Sequence, residues 1–203
     1  MIKNYIFDFG NVLARFYPEE LTAACAGEET DRGLLEEVVF DRLYWNALDA
    51  GTISDEEAKA GFCSRLPEEL HAVACEIYDR WVDNLVPVAG MPELAADIKA
   101  GGGKLYLLSN ISVKFSKEYK DNPWIRDLFA LFDGLVLTGT IGIVKPGREV
   151  FDHLLTQFDL RPEECLFIDD TERNIKGAEA VGIRGYLFDG DAEALRRALP
   201  LLS

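Results

Sequence analysis

The chain has 203 residues, 48% of them hydrophobic and 11% aromatic, which suffices for one domain with a sizeable core and excludes a disordered chain. Asp and Glu number 36 against 21 Lys and Arg, and the formal net charge of -15 argues against nucleic acid or an anionic membrane as a partner. An anionic substrate would need local positive charge, from a metal ion, a lysine or backbone N–H groups.

The first predicted strand, at 5–9, is a short apolar run typical of a buried parallel strand. Residues 16–86 then break the strand pattern, because amphipathic helical stretches fill them and no convincing strand occurs. Within this segment Ser54 and Glu57 have the spacing of a capping box that opens a helix. We predict a small α-helical cap inserted after the first strand, called the insert below, whose apolar stripes form its own core.

Four further apolar runs follow the insert and alternate with helical patterns. The predicted strands are 105–109, 135–137, 165–169 and 184–188, and the predicted helices are 92–100, 148–158 and 173–181. Strand–helix alternation predicts a doubly wound, Rossmann-like α/β fold with a parallel sheet. The predicted core therefore comprises 1–15 and 87–203, and the insert comprises 16–86.

The four cysteines form no Cys-x-x-Cys pair, and the two histidines are not at metal-ligand spacing from them. We expect small buried thiols in a reducing compartment. The N-terminal apolar run contains Asp8, which is not typical of a signal peptide. No apolar stretch approaches the roughly 18 residues of a membrane span, so a soluble, cytoplasmic protein is expected.

Ligands of an open α/β sheet bind beyond the carboxyl ends of its strands. Polar residues at the predicted strand ends, or just before a helix, are Asp8, Ser109, Asn110, Lys145, Asp169 and Asp170. The adjacent carboxylates of Asp169 and Asp170 would repel each other unless a cation lay near them. We therefore expect these residues to form one site at one edge of the sheet.

Residues of these types suit phosphoryl transfer. A carboxylate can attack phosphorus and form an aspartyl-phosphate that water then hydrolyses. Two or three carboxylates plus a carbonyl suit Mg²⁺, and a serine hydroxyl, backbone N–H groups and a lysine can hold the remaining phosphate oxygens. Each feature alone could be a turn, a helix cap or a solvated charge, but the order and spacing of all of them favour this chemistry.

The sequence resembles the haloacid dehalogenase-like (HAD) hydrolase superfamily across nearly its whole length. The first family motif, an apolar strand ending D-x-D-G-T/V-L/V, is matched by IFDFGNVL at 6–13, and the second by LYLLS at 105–109. The third, a lysine before a helix, is Lys145 in GIVKPGREVF, and the fourth is the acidic pair in IDDTERNI. These stretches are also similar to a bacterial branch of α-glucose-1-phosphatase type, which has a small helical cap.

The resemblance implies a role for each of these positions. Asp8 would be the nucleophile, and Lys145 would be the second catalytic residue. Phosphate would be held by Ser109, Asn110, Lys145, Gly10 and Asn11. Mg²⁺ would be held by Asp8, the carbonyl of Gly10, Asp170 and, directly or through water, Asp169. The insert would be a mobile cap that selects a small phosphorylated metabolite such as a sugar-1-phosphate, in a monomer or a homodimer.

Gly10 departs from the family motif, which has a second Asp at this position as general acid and base. Either another group supplies the proton, such as a cap residue or a metal-bound water, or the substrate has a good leaving group, as anomeric and acyl phosphates do. Loss of a general acid/base costs about 10²–10⁴-fold, so slow turnover of ordinary alcohol phosphates is expected.

Two other functions stay open. A metal-independent haloacid dehalogenase would also lack the second Asp, but it would leave the pair Asp169 and Asp170 poorly explained. A catalytically inactive binding or regulatory protein would keep clustered charges at a cost without a ligand. Candidate substrate contacts from the insert and its border are Arg15, Tyr17, Arg42, Tyr44 and Trp45, each of which could equally serve packing.

Overall fold

A computed structural model describes residues 1–202 of the chain. Its strands are β1 (Asn4–Phe7), β2 (Ala14–Arg15), β3 (Val86–Pro87), β4 (Lys104–Ser109), β5 (Gly134–Leu137), β6 (Cys165–Asp169) and β7 (Arg184–Leu187). Five of them form a parallel sheet in the order β5-β4-β1-β6-β7, and β2 pairs with β3 antiparallel. The first strand in sequence is therefore the central strand of the sheet.

Helices cover both faces of the sheet and fill the segment between β2 and β3. Their bounds are α1 (Pro18–Ala23), α2 (Arg32–Val39), α3 (Arg42–Asp49), α4 (Asp55–Arg65), α5 (His71–Arg80), α6 (Met91–Ala100), α7 (Val113–Glu118), α8 (Pro123–Phe129), α9 (Arg148–Gln157), α10 (Glu172–Glu179) and α11 (Ala192–Leu202). Within residues 1–202, no helix is long and apolar enough to cross a membrane.

Side chains of the central strands alternate between two apolar clusters, one on each face of the sheet. Phe7 belongs to the larger cluster, whereas its neighbour Ile6 belongs to the smaller one, beneath α9 and α10. Strands buried on both faces read as continuous apolar runs, which is why the sequence signals them clearly. The predicted α/β fold with a doubly wound parallel sheet is confirmed.

The predicted strands lie within two residues of the observed ones, but several short elements escaped prediction. The two-residue strands β2 and β3 carry no periodicity that a sequence could reveal. Helices α7 and α8 are only six and seven residues long, too short for a clear helical stripe. Helix α11 was also missed, although Ala192, Leu195 and Leu199 stand at helical spacing.

The insert contains α1 to α5, and its predicted capping box is present. Ser54 Oγ accepts a hydrogen bond from the Glu57 N–H at 3.1 Å, and Glu57 Oε2 accepts one from the Ser54 N–H at 2.8 Å. The apolar residues of the insert belong to the larger cluster of the sheet rather than to a separate core. The division into a core and a mobile cap stays a prediction.

Candidate active site

The site lies at the carboxyl edge of the sheet, where β1, β4 and β6 end. Asp8 follows β1 directly, Ser109 is the last residue of β4, and Asp169 is the last residue of β6. The Asp8 N–H donates to the Ile168 carbonyl at 2.9 Å, which extends the β1–β6 pairing by one residue. Parallel strands carry their carboxyl ends to one edge, so residues 160 positions apart in sequence meet here.

Lys145 bridges two of the carboxylates. Its Nζ lies 2.8 Å from Asp8 Oδ1 and 2.7 Å from Asp169 Oδ2, and its side chain is 1% exposed. Asn110 holds the lysine through the backbone, since Asn110 Oδ1 accepts from the Lys145 N–H at 2.8 Å and its Nδ2 donates to the Lys145 carbonyl at 3.0 Å. The side chain of Asn110 is thus engaged in orienting Lys145.

Three carboxylates converge beside this lysine. Asp8, Asp169 and Asp170 each offer one oxygen atom, and these atoms lie within 4.8 Å of one another. The sequence placed all three at this edge, and the fold brings them together. Asn11 Nδ2 approaches Asp170 Oδ2 at 3.4 Å, so the turn after β1 also reaches this cluster.

Burial and the neighbouring charges together shift the pKa values of Asp8 and Lys145. Burial raises the pKa of Asp8, and the ammonium group of Lys145 opposes that rise. Burial lowers the pKa of Lys145, but the carboxylates of Asp8 and Asp169 outweigh it and hold the pKa above its ordinary value. One buried ammonium group faces three carboxylates, so the oxygen cluster fits an additional hard cation such as Mg²⁺.

Asn174, which was not predicted from the sequence, completes the surroundings of Asp169. It lies on α10, and its Nδ2 is 3.0 Å and 3.1 Å from the two carboxylate oxygens of Asp169. The Thr171 N–H donates to Asp169 Oδ1 at 2.8 Å. The sequence does contain a signal for this contact. Asn174 lies in the first turn of the helix that follows the acidic pair, and that turn faces the end of β6.

A cavity of about 200 Å³ lies over the cluster and is lined partly by residues of the insert. The strand-end residues Asp8, Gly10, Asn11, Ser109, Asn110, Lys145 and Asp170 line it. Insert residues Phe40, Arg42, Trp45, Asn46, Asp49 and Trp81 form the opposite wall. Of the candidate substrate contacts, Arg42 and Trp45 thus face the cavity.

The other three candidates lie elsewhere. Arg15 pairs with Glu20 and stacks over the ring of Tyr17 at 5.1 Å. Tyr44 packs edge-on against Phe62 at a centroid distance of 5.0 Å, inside the insert. These side chains serve packing and surface pairing.

Gly10 has space for a side chain. A Cβ atom built on it would meet only Phe16 Cβ, at 3.9 Å, which is ordinary van der Waals contact. The left-handed backbone of this turn falls on Asn11, with φ of 56°, and Asn11 Oδ1 accepts from the Phe16 N–H at 3.0 Å. The missing carboxylate at Gly10 is therefore a chemical departure from the family motif and not a steric necessity.

A family model of haloacid dehalogenase-like hydrolases matches residues 2–182, and the chain belongs to this family. A sesquiterpene phosphatase of Aspergillus oryzae is 27% identical over 194 residues, which are 95% of this chain and 93% of that protein. A D-ribitol-5-phosphate phosphatase of Bacteroides thetaiotaomicron is 25% identical over 205 residues, 95% of each chain. The family and these relatives support a phosphohydrolase.

Solved structures of the family share the fold. A HAD family enzyme from Bacteroides thetaiotaomicron, in complex with magnesium and inorganic phosphate, has a TM-score of 0.69 and 24% identity over 96% of this chain and 99% of its own. An L-2-haloacid dehalogenase from Xanthobacter autotrophicus has a TM-score of 0.65 and 20% identity over 99% of this chain and 83% of its own. The fold alone therefore accommodates both the phosphatase and the dehalogenase chemistry.

Proposed function

We propose that the protein is a Mg²⁺-dependent phosphatase that hydrolyses a small phosphorylated metabolite through an aspartyl-phosphate on Asp8. The observation that carries the proposal is the buried Lys145 held between Asp8 and Asp169 at the floor of the cavity. A lysine and several carboxylates in contact suit binding of a phosphate group together with a divalent cation.

Asp8 is oriented for attack. Within residues 1–202, Asp8 Oδ1 receives the Phe9 N–H at 2.7 Å and Lys145 Nζ at 2.8 Å, while Oδ2 receives neither. Oδ2 attacks phosphorus, the bond from phosphorus to the substrate oxygen breaks, and the alcohol leaves after taking up a proton. Water then attacks the same phosphorus, the bond from phosphorus to Asp8 breaks, and inorganic phosphate leaves.

Other residues of the site bind the phosphate oxygens and the metal ion. The Ser109 hydroxyl and Lys145 Nζ donate to the phosphate, with Gly10, Asn11 and Asn110 beside them. Asp8, the carbonyl of Gly10, Asp169 and Asp170 would hold Mg²⁺, which would supply positive charge to the transferring oxygens. The assignment of these roles rests on the family motifs and on the convergence of the residues.

The size of the cavity favours a small metabolite. Its volume of about 200 Å³ is below the roughly 300–1,000 Å³ that is usual for sites of drug-sized ligands. Aromatic rings of Phe16, Phe40, Trp45 and Trp81 form part of its wall and suit the apolar face of a sugar or polyol. We propose a sugar phosphate, such as a sugar-1-phosphate, rather than a terpenoid chain.

Magnesium removal is the direct test of this proposal. With glucose-1-phosphate, ribitol-5-phosphate, acetyl phosphate and farnesyl phosphate as substrates, chelation of Mg²⁺ is expected to lower phosphate release at least about 100-fold, because a metal ion contributes several kcal/mol to such transition states. Re-addition of Mg²⁺ should restore activity. Release of chloride from 2-chloropropionate with chelator present would support the dehalogenase, and no turnover of any substrate would support an inactive protein.

Asn174→Leu is expected to weaken Mg²⁺ binding about 10–100-fold, because residues that orient metal ligands contribute affinity of this order. Titration calorimetry with Mg²⁺ measures the change. Lys176→Gln, on the same helix but paired with Glu172 at the surface, serves as the control. Equal affinities in the two variants would show that Asn174 does not orient a metal ligand.

A further inference from the structure

We propose that Asp49 of the insert is the general acid and general base of the reaction. Gly10 cannot have this role, because it has no ionisable side chain. The inference rests on the proposed function, since it assigns a role in the phosphatase reaction. Among the described residues that line the cavity, the carboxylates are Asp8, Asp49 and Asp170, and no histidine is present. Asp8 and Asp170 belong to the cluster around Lys145, which leaves Asp49 as the carboxylate without a role.

The backbone of Asp49 is fixed to the sheet domain. Asp49 is the last residue of α3, and its carbonyl accepts a hydrogen bond from Thr138 Oγ1 at 2.7 Å. The same Thr138 Oγ1 accepts from the Ile111 N–H at 3.1 Å, in the loop that follows Ser109. These two hydrogen bonds connect the end of α3 with the loop after β4, next to the proposed phosphate-binding residue Ser109.

The loop after Asp49 approaches the sheet closely as well. Gly51 has φ of 65°, and a Cβ atom added to it would overlap the carbonyl oxygen of Gly139. Glycine at this position therefore serves both the left-handed turn and the contact. The contact holds the insert against the core just where Asp49 faces the cavity.

The electrostatic surroundings of Asp49 suit proton transfer in both directions. Burial raises the pKa of Asp49 to about 7, and the positive charges of Arg42 and Lys145 oppose this rise. The other charged groups on the cavity wall are Asp8, Asp170 and Arg173. A group with a pKa near the working pH can both give and take a proton, which is what an acid/base catalyst needs.

The proton balance of the reaction closes with this one residue. Protonated Asp49 gives its proton to the bridging oxygen as the phosphorus–oxygen bond breaks and Asp8 Oδ2 bonds to phosphorus. The alcohol leaves neutral, and Asp49 is a carboxylate. It then takes a proton from water as the water oxygen attacks the aspartyl-phosphate, which releases inorganic phosphate and restores both residues.

The test compares Asp49→Asn with the parent enzyme on two kinds of phosphate ester. With ribitol-5-phosphate, whose alcohol must be protonated, kcat/KM should fall about 10²–10⁴-fold. With p-nitrophenyl phosphate, whose leaving group needs no proton, kcat/KM should change little, because this ratio reports only the steps up to alcohol release. Asp49→Glu should recover part of the lost activity. Asp79→Asn, a carboxylate of the insert paired with Lys59, is the control and should match the parent enzyme.

Different outcomes contradict the two proposals separately. A parent enzyme inactive on every phosphate would contradict the proposed function. An active parent with Asp49→Asn equal to Asp79→Asn on ribitol-5-phosphate would overturn the role of Asp49 and leave the phosphatase intact. Equal losses of kcat/KM on both esters would also overturn it, because a residue that merely holds the insert in place affects both equally.

Stability measurements show whether Asp49→Asn is folded and whether Asp49 is buried as its role requires. The pKa of Asp49 in the folded chain lies above its ordinary value of 3.8, so the folded state loses stability as Asp49 ionises between about pH 4 and pH 7. Asn cannot ionise. Asp49→Asn should therefore unfold at higher denaturant concentration than the parent at pH 8, and the difference should shrink at pH 5.

Discussion

Asp8→Asn is expected to lower kcat about 10⁴–10⁶-fold while the chain stays folded, because the amide cannot form the covalent phosphoryl intermediate. The side chains have the same shape, and Lys145 keeps its second partner, Asp169 Oδ2, at 2.7 Å. Burial already raises the pKa of Asp8, so removal of its charge does not remove a favourably solvated group. Steady-state phosphate release, together with circular dichroism of the same samples, measures both effects.

Asp189→Asn provides the matched control for Asp8. Asp189 is an exposed carboxylate just beyond β7, at the same edge of the sheet but outside the cavity. This variant should keep the activity of the parent enzyme. If Asp8→Asn hydrolysed phosphate esters at the rate of Asp189→Asn, then Asp8 would not be the nucleophile.

Lys145→Met is expected to lower both activity and stability. Its removal leaves the carboxylates of Asp8 and Asp169 buried without their cation, and breaking a buried pair in this way costs about 3–5 kcal/mol of unfolding free energy. Loss of the phosphate contact should also reduce kcat/KM about 10²–10³-fold, as removal of a single transition-state donor does. Urea denaturation at pH 8 without Mg²⁺ measures the stability change.

Lys99→Met gives the comparison for this stability change. Lys99 pairs with Asp133 at 2.6 Å, but both side chains are about one-third exposed, so the loss should be about 1 kcal/mol or less. The difference between the two variants should also shrink at low pH, because burial raises the pKa of Asp8 and its protonation removes one of the buried negative charges that Lys145 neutralises. Equal stability losses in both variants at pH 8 would show that the cluster does not depend on Lys145.

The sequence predicted those parts of the fold whose pattern is visible within a few consecutive residues. The central strands are buried on both faces, so their apolar runs stand out, and the residues that follow them could be assigned to one edge. The convergence of Asp8, Asp169 and Asp170 follows from parallel strands alone. Lys145 was assigned by its position before α9, and the fold places its ammonium group between two of these carboxylates.

The residues that escaped prediction depend on tertiary packing. Asp49 ends an amphipathic helix with an acidic side chain, which by itself is typical of a solvated helix end. Only the contacts of Thr138 with the Asp49 carbonyl and of Gly51 with Gly139 place it over the cavity. The packing between the insert and the sheet region was not predicted for a related reason, because it depends on tertiary contacts such as the stacking of Trp81 on Phe115 of α7 at 5.8 Å.

The central place of β1 in the sheet has a consequence for how the chain folds during synthesis. Its two partners, β4 and β6, begin about 100 and about 160 residues later in the sequence. At roughly 5–20 residues per second, the apolar strand Asn4–Phe7 emerges about 8–30 s before its second partner is made. The helices of the insert contact one another over short sequence separations, as α4 and α5 do, so this part of their packing can form first, whereas the sheet must close late. Asp8 and Asp169 therefore meet only after β6 has been made.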